Sequence, residues 1–343
     1  MFQLRQDNQV LKYVMRLPWL RRLRLDFWSH VQNNLCMSRS LRTACTSSLL
    51  ALVIFALPAC IQAQQAPTAI ASDPAPDKGS PAAIETLQLP SHGSALNALV
   101  YIAAGAGPHP VVVLLHGFPG NEKNLDLAQA MRRAGWNVLY FNYRGSWGSP
   151  GDFSFTHALE DTQAAIAFLR DPATAKKLRV DSNRIVLIGH SMGGFMANFG
   201  GAEDAKIQAI GIISAANLGA MRAQTAGPTD PEVAVKKIAT SLAAEGMAPL
   251  AGCTPESLAR EILANRPKWN FIDYAAKLAS RPMLVVTSDD GLAPASDALV
   301  DALRKAGDKE VTAIHMTTDH SYSDHRIALE TAVLKWLDSL RKP

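Results

Sequence analysis

Two hydrophobic rhythms alternate along the chain. Val111–Leu115, Asn137–Phe141, Arg184–Ile188, Ala209–Ser214 and Met283–Thr287 are short apolar runs, several of them continuous and without a polar residue at every second position. Runs of this kind fit parallel strands buried on both faces. Three more strands are predicted over Thr86–Leu89, Leu96–Ala103 and Val311–Met316. Between them, helical patterns cover Asn124–Ala134, His157–Arg170, Gly193–Ala202, Ser296–Ala306 and Asp324–Arg341. The alternation predicts an α/β class fold, with βαβ units building a mostly parallel eight-stranded sheet that carries helices on both faces.

One stretch interrupts the rhythm. From Asn217 to Ser280 no good strand occurs, only helical patterns over Glu232–Ala244 and Pro255–Ala264 and then Trp269–Leu278. Residues 217–280 are therefore expected to be a helical lid inserted over the carboxyl ends of the strands, with Met221, Met247, Trp269 and Phe271 as apolar lining. The plain alternative is a longer crossover connection.

The amino-terminal pattern differs again. Arg39 and Arg42 precede an apolar stretch from Ala44 to Leu57, and small residues with Gln follow up to Ala66. That is the layout of a secretory signal peptide, with Met37 as its natural start, and the apolar stretch is short for a membrane span of about 20 residues. Residues 1–36 then read as an upstream extension, 37–63 as the signal, 64–84 as a flexible linker rich in Ala, Pro and Ser, and 85–343 as one catalytic-size domain. Export to the periplasm or the extracellular space follows. A cytosolic protein with a membrane-anchoring amino-terminal helix is the rival reading. Leu57-Pro-Ala-Cys60 also approximates a lipobox, which would attach the chain to a membrane through Cys60, while cleavage after Ala63 would release it.

Composition narrows the function classes. The chain of 343 residues is 48% hydrophobic and 19% charged, the range of an ordinary globular protein with a large core. The net charge of +4 comes largely from arginines and lysines before residue 43, so the body carries no basic footprint for nucleic acid. Cys36, Cys45 and Cys60 lie in the targeting region, which leaves Cys253 alone in the body and excludes an internal disulfide there.

The most informative local motif is Gly189-His190-Ser191-Met192-Gly193, placed between an apolar strand and a helical pattern. G-x-S-x-G in that context is the signature of a strand-to-helix turn that lifts a serine hydroxyl above a sheet. Glycine is needed where the turn brings backbone against backbone. A serine hydroxyl becomes a nucleophile only with a histidine to take its proton and a carboxylate to orient that histidine. After the run at 283–287 come Asp289 and Asp290, two adjacent candidates. After the run at 311–316 comes His320, ahead of the final helix. His315 falls in a strand and His325 in a helix, so neither is the natural base, and no ligand spacing suggests a metal. The turn His116-Gly117-Phe118-Pro119-Gly120 ends another strand. Its Phe118 amide and the amide of Met192 are candidate donors to a developing oxyanion.

On these motifs, together with Tyr143-Arg144-Gly145 and Asp290-Gly-Leu-Ala-Pro294, the chain from about Thr86 to Leu340 resembles the α/β-hydrolase superfamily. It is most similar to dienelactone-hydrolase-like esterases and to the catalytic domains of prolyl-oligopeptidase relatives. The resemblance implies the α/β-hydrolase fold, Ser191 as nucleophile, His320 as base and an acid in the loop after the strand at 283–287. That family usually shows G-x-x-D-x-x-V-P in this loop. Thr287 and Ala293 depart from the pattern, and alignment on Pro294 selects Asp290, with Asp289 as runner-up. The resemblance also leaves no room for a β-propeller before Thr86, which favours a stand-alone esterase. Arg144 then either meets a substrate carboxylate or pairs with a structural acid such as Asp161, the latter being preferred.

The expected activity is cleavage of carboxylic esters through an acyl-enzyme, with a small ester or short peptide as substrate and no cofactor. Alternatives are a serine peptidase or amidase, an acyltransferase, and a non-catalytic binding protein of the same fold.

Overall fold

The computed structural model describes residues 67–221 and 230–341. The upstream extension, the signal and Cys60 lie outside the described residues, as do residues 222–229 of the insertion. Among the described residues no helix is long and apolar enough to cross a membrane.

Eight strands form one sheet: β1 (Ala83–Ser91), β2 (Ser94–Ile102), β3 (His109–Leu115), β4 (Asn137–Phe141), β5 (Val180–His190), β6 (Ala209–Ile213), β7 (Met283–Thr287) and β8 (Val311–His315). Their spatial order is β1-β2-β4-β3-β5-β6-β7-β8. β1 and β2 form an antiparallel hairpin, β2 runs antiparallel to β4, and every later pairing is parallel. The sheet is thus mostly parallel, as the uninterrupted apolar runs require.

Those runs hide a period of two. Val111, Val113 and Leu115 of β3, Ile185 and Leu187 of β5, and Met283 and Val285 of β7 pack into one core layer. Val112 and Leu114, Val186 and Ile188, and Leu284 and Val286 pack into the other. Successive side chains of a strand point to opposite faces, and here both faces are dry, so these positions are apolar on either side.

Helices α1 (Leu125–Arg133), α2 (Phe155–Arg170), α3 (Pro172–Lys177), α4 (Met192–Glu203), α5 (Pro231–Ala244), α6 (Pro255–Asn265), α7 (Ala293–Lys305) and α8 (Arg326–Ser339) follow the predicted pattern, with α3 as an addition. The α3 turn begins at Asp171, whose carboxylate accepts from the Thr174 amide, with proline at the first helical position. α1 and α8 contribute Leu127, Met131, Val333 and Leu337 to one layer. α2, α4 and α7 contribute Ile166, Phe195 and Leu299 to the other. In the segment read as a linker, one turn of helix at Thr68–Ala71 rests on α1, where the Arg133 guanidinium donates to the Ala69 carbonyl.

The insertion is helical. α5 and α6 pack on each other, and Glu261 of α6 accepts from the amides of Phe155 and Thr156 at the start of α2. Residues 249–251 are sewn to the loop after β4 by Trp147 N–H to Pro249 O (2.9 Å), Ala251 N–H to Gly145 O (2.8 Å) and Phe153 N–H to Ala251 O (2.9 Å). Trp269 and Phe271, expected as pocket lining, are instead closed into the core at 3% and 0% exposure. The cause is a close approach of segments distant in the chain: Gly219 donates to the Trp269 carbonyl and has no side chain to hold that segment away, so the Trp269 ring reaches Phe155 and Phe195. Met221 and Met247 are partly buried against the same layer.

Candidate active site

The loops at the carboxyl ends of β3, β5, β6, β7 and β8 carry the candidate residues, and the parallel arrangement brings those ends to one edge of the sheet.

β5 ends at His190, and Ser191 caps α4 with φ 58° and ψ −122°. This conformation is strained for a residue with a side chain, and surrounding bonds hold it. The Ser191 amide donates to Ile213 O (2.9 Å), and its carbonyl accepts from the amides of Gly194 (3.0 Å) and Ala216 (2.9 Å). Glycine is obligatory on both sides. A Cβ on Gly189 would stand 1.9 Å from the Gly193 carbonyl oxygen, and one on Gly193 would stand 2.1 Å from Leu115 O and 2.7 Å from His116 O. The turn therefore presses α4 directly onto the end of β3.

That contact sets the neighbouring loop. A Cβ on Gly117 would meet the Ser191 Cβ at 2.9 Å and its Oγ at 3.4 Å, so the bare backbone of residue 117 lies against the serine. The loop is pinned from behind by side chains that sequence reasoning had not assigned. Trp147 Nε1–H donates to Pro119 O (2.9 Å), and the Tyr143 hydroxyl donates to His116 O (3.2 Å). Neither the Phe118 nor the Met192 amide donates to an acceptor among the described residues. Both remain available at the first turn of α4 and the adjoining loop, where backbone N–H groups attract anions.

The two adjacent aspartates take different partners. Asp290 Oδ2 is 2.7 Å from His320 Nδ1, and Asp290 Oδ1 accepts from the Leu292 amide at 2.8 Å. Its side chain is 5% exposed, against 39% for His320. Burial by itself would raise this carboxyl. Bonds from His320 and from the Leu292 amide outweigh it, and hold the group well below the usual carboxylate range. Asp289 points away, with Oδ1 3.0 Å from His315 Nε2, and that pair is exposed. His325 stands at the cap of α8, bonded to Asp324, rather than within the helix. Among the described residues the structure joins His320 to Asp290 and records no hydrogen bond between Ser191 Oγ and His320.

Behind the site sit two enclosed imidazoles. His190 Nε2 donates to the His320 carbonyl (2.8 Å), and its ring stacks 4.6 Å from the His320 ring. His116 Nδ1 donates to Gly117 O (2.8 Å) beneath Tyr143. Burial lowers both to about 4, and for His190 the nearby His320 adds to the effect. An unfolded imidazole takes up its proton near pH 6.5, so between about 6.5 and 4 the unfolded chain binds protons that the native state does not. Stability is expected to fall by roughly 2 kcal/mol per histidine between about pH 7 and pH 5. The urea midpoint should therefore drop over this interval, and His190→Gln should flatten the drop. A midpoint that stays level would contradict the buried neutral state.

Arg144 does not reach the site. Its Nε is 2.7 Å from Asp161 Oδ1, with 8% and 0% of the two side chains exposed, and Ser91 Oγ donates to the same oxygen at 2.6 Å. The pair closes the β1 end of the core, the structural role that the sequence favoured.

The BD-FAE family model matches residues 99–248, from β2 to just beyond α5, a span that includes Ser191 and stops before Asp290 and His320. No curated protein matches the chain. Solved structures do. EstE1, a thermophilic carboxylesterase cloned from a metagenomic library, is 21% identical, with 80% of this chain and 93% of that chain covered and a TM-score of 0.57. Est1E from Butyrivibrio proteoclasticus, solved with ferulic acid bound, is 18% identical over 74% of this chain and 98% of that one, with a TM-score of 0.55. The Pyrococcus horikoshii acylaminoacyl peptidase is 19% identical over 75% of this chain and 41% of that one, with a TM-score of 0.50. With its strand order and the turn after β5, the chain belongs to the α/β-hydrolase fold.

Proposed function

We propose that the protein is a serine hydrolase that cleaves carboxylic esters through an acyl-enzyme. Ser191 attacks the ester carbonyl, His320 takes its proton, and Asp290 orients the imidazole and stabilises its charged form. The Phe118 and Met192 amides stabilise the oxyanion. His320 then protonates the leaving alcohol and activates the water that releases the acid. The observation that carries this reading is the Asp290–His320 bond of 2.7 Å in loops adjoining a strained Ser191 turn. The carboxylesterases among the structural relatives support the ester over the amide, and the acylaminoacyl peptidase keeps short peptide substrates as the second reading. The lid role of residues 217–280 and export by the signal at 37–63, with lipidation at Cys60 as one outcome, belong to the same proposal.

A fluorophosphonate probe tests it. The wild type is expected to label stoichiometrically at Ser191, and Ser191→Ala to remain unlabelled and inactive on short-chain nitrophenyl esters. Wild type that stays unlabelled, or equal labelling of Ser191→Ala, would refute the mechanism. Matched ester and anilide substrates then separate esterase from amidase.

A further inference from the structure

One indole ties the oxyanion loop to a distant part of the chain. Trp147 Nε1–H donates to Pro119 O at 2.9 Å, and no other hydrogen bond among the described residues reaches that carbonyl. The backbone of the same residue is tied elsewhere. Its amide donates to Pro249 O at 2.9 Å, beside an antiparallel bridge between Ser146 and Leu250. Trp147 therefore reaches from the insertion to the loop that carries Phe118. The Lys123 ammonium rests 3.8 Å from the centre of its ring, and a cation over an indole face is attracted to it and helps to fix it.

The arrangement is strained. Trp147 has φ 47°, in the left-handed region where a bulky side chain is an outlier. Gly120 makes room for its ring: at φ +99°, a Cβ there would lie 2.8 Å from Trp147 Nε1 and 2.6 Å from His116 Nδ1. The two rings that meet at Gly120 hold the carbonyls on either side of Phe118, His116 through Gly117 O (2.8 Å) and Trp147 through Pro119 O. In the planar trans unit of Gly117 and Phe118 the C=O and N–H point to opposite sides. With Gly117 O bonded to buried His116, the Phe118 N–H is turned the other way, and it has no acceptor of its own. The stretch is bounded by Gly117 and Gly120, whose backbones have the widest freedom, so this orientation depends on what holds the carbonyls.

We infer that Trp147 is a positioning residue: its indole N–H holds the oxyanion loop at Pro119 so that the Phe118 amide stays aimed at the developing oxyanion, and its backbone ties that loop to residues 249–251 of the insertion. This rests on the serine-hydrolase reading and deepens it. A donor held in place before the reaction stabilises charge that appears only in the transition state. Loss of the indole N–H therefore acts on kcat and leaves ground-state binding of the ester nearly alone.

The test removes the N–H and keeps an aromatic ring under Lys123. Trp147→Phe does this simply, and Trp147→benzothienylalanine does it with a bicyclic isostere in which sulfur replaces the N–H. Both are expected to lower kcat about tenfold, the order of one hydrogen bond, with KM little changed. Affinity for a trifluoromethyl ketone, which forms a tetrahedral adduct with the serine, should fall by the same factor, while affinity for the product carboxylate should hold. Folded variants with wild-type kcat and inhibitor affinity would overturn the inference and leave the triad intact. A loss confined to KM and product affinity would overturn it as well, since that is the mark of a pocket wall. A wild type that neither labels at Ser191 nor hydrolyses esters would remove the oxyanion reading and this inference together.

Discussion

Asp290→Asn is expected to lower kcat on an activated ester by about 10⁴-fold, with KM and the folded state nearly unchanged. An amide at this position keeps the volume, and because the Leu292 amide must donate to its oxygen at the Oδ1 side, it turns an NH₂ group toward His320 Nδ1 and forces the proton onto the other ring nitrogen. His320 Nε2 would then carry a hydrogen and could not accept one from Ser191. Asp289→Asn is the matched control, because Asp289 pairs with exposed His315 and touches neither His320 nor the serine turn. Its effect should stay within about twofold, as befits an exposed ion pair. Single-turnover and steady-state rates with one ester, beside circular dichroism of both variants, decide the matter. An active Asp290→Asn with an inactive Asp289→Asn would reverse the assignment.

The second large effect is on folding. Gly193→Ala is expected to remove most of the stability, a loss above about 4 kcal/mol in a protein whose total is ~5–15 kcal/mol. The new methyl would lie 2.1 Å from Leu115 O and 2.7 Å from His116 O, backbone atoms at the end of β3 and in the loop that follows it. No rotamer change can relieve such a contact, so either α4 separates from β3 or the turn opens. Gly291→Ala provides the contrast. It has φ +83° and nothing within 4 Å of its would-be Cβ, so only backbone strain of about 1 kcal/mol applies. Urea denaturation of the two variants should differ by several kcal/mol in midpoint stability. A Gly193→Ala protein that unfolds with the wild type would show that the turn is not the close-packed junction described above.

Much of the fold was legible because its cause is local. β4 and β7 occupy Asn137–Phe141 and Met283–Thr287, the residues whose apolar runs predicted them, since a strand buried on both faces admits a polar side chain only where it finds a partner, as Asn137 does with the Ala103 amide and the Leu178 carbonyl. The serine turn was equally readable, because its glycines answer to contacts within five residues of one another and to the strand beside them. Trp269 and Phe271 were misread for the opposite reason. Their apolar character fits a pocket wall and a core equally well, and only the close approach of Gly219 seals them inside.

The amino-acid sequence by itself determined the parallel sheet, the serine turn and the order of serine, acid and histidine, all of which follow from short-range sterics and the burial of apolar runs. On the residues alone it left Asp289 and Asp290, two identical side chains one residue apart, and only the family alignment on Pro294 favoured Asp290. The tertiary structure decided between them by aiming one carboxylate at His320 and the other at His315. It likewise decided that Arg144 belongs to Asp161, and that Ser214, Ser288 and Tyr322 share one buried cluster. Those partners stand 17 to 108 residues apart in the chain. No local spacing encodes such meetings, because hydrogen-bond direction is set by where packed strands and helices finally place each backbone.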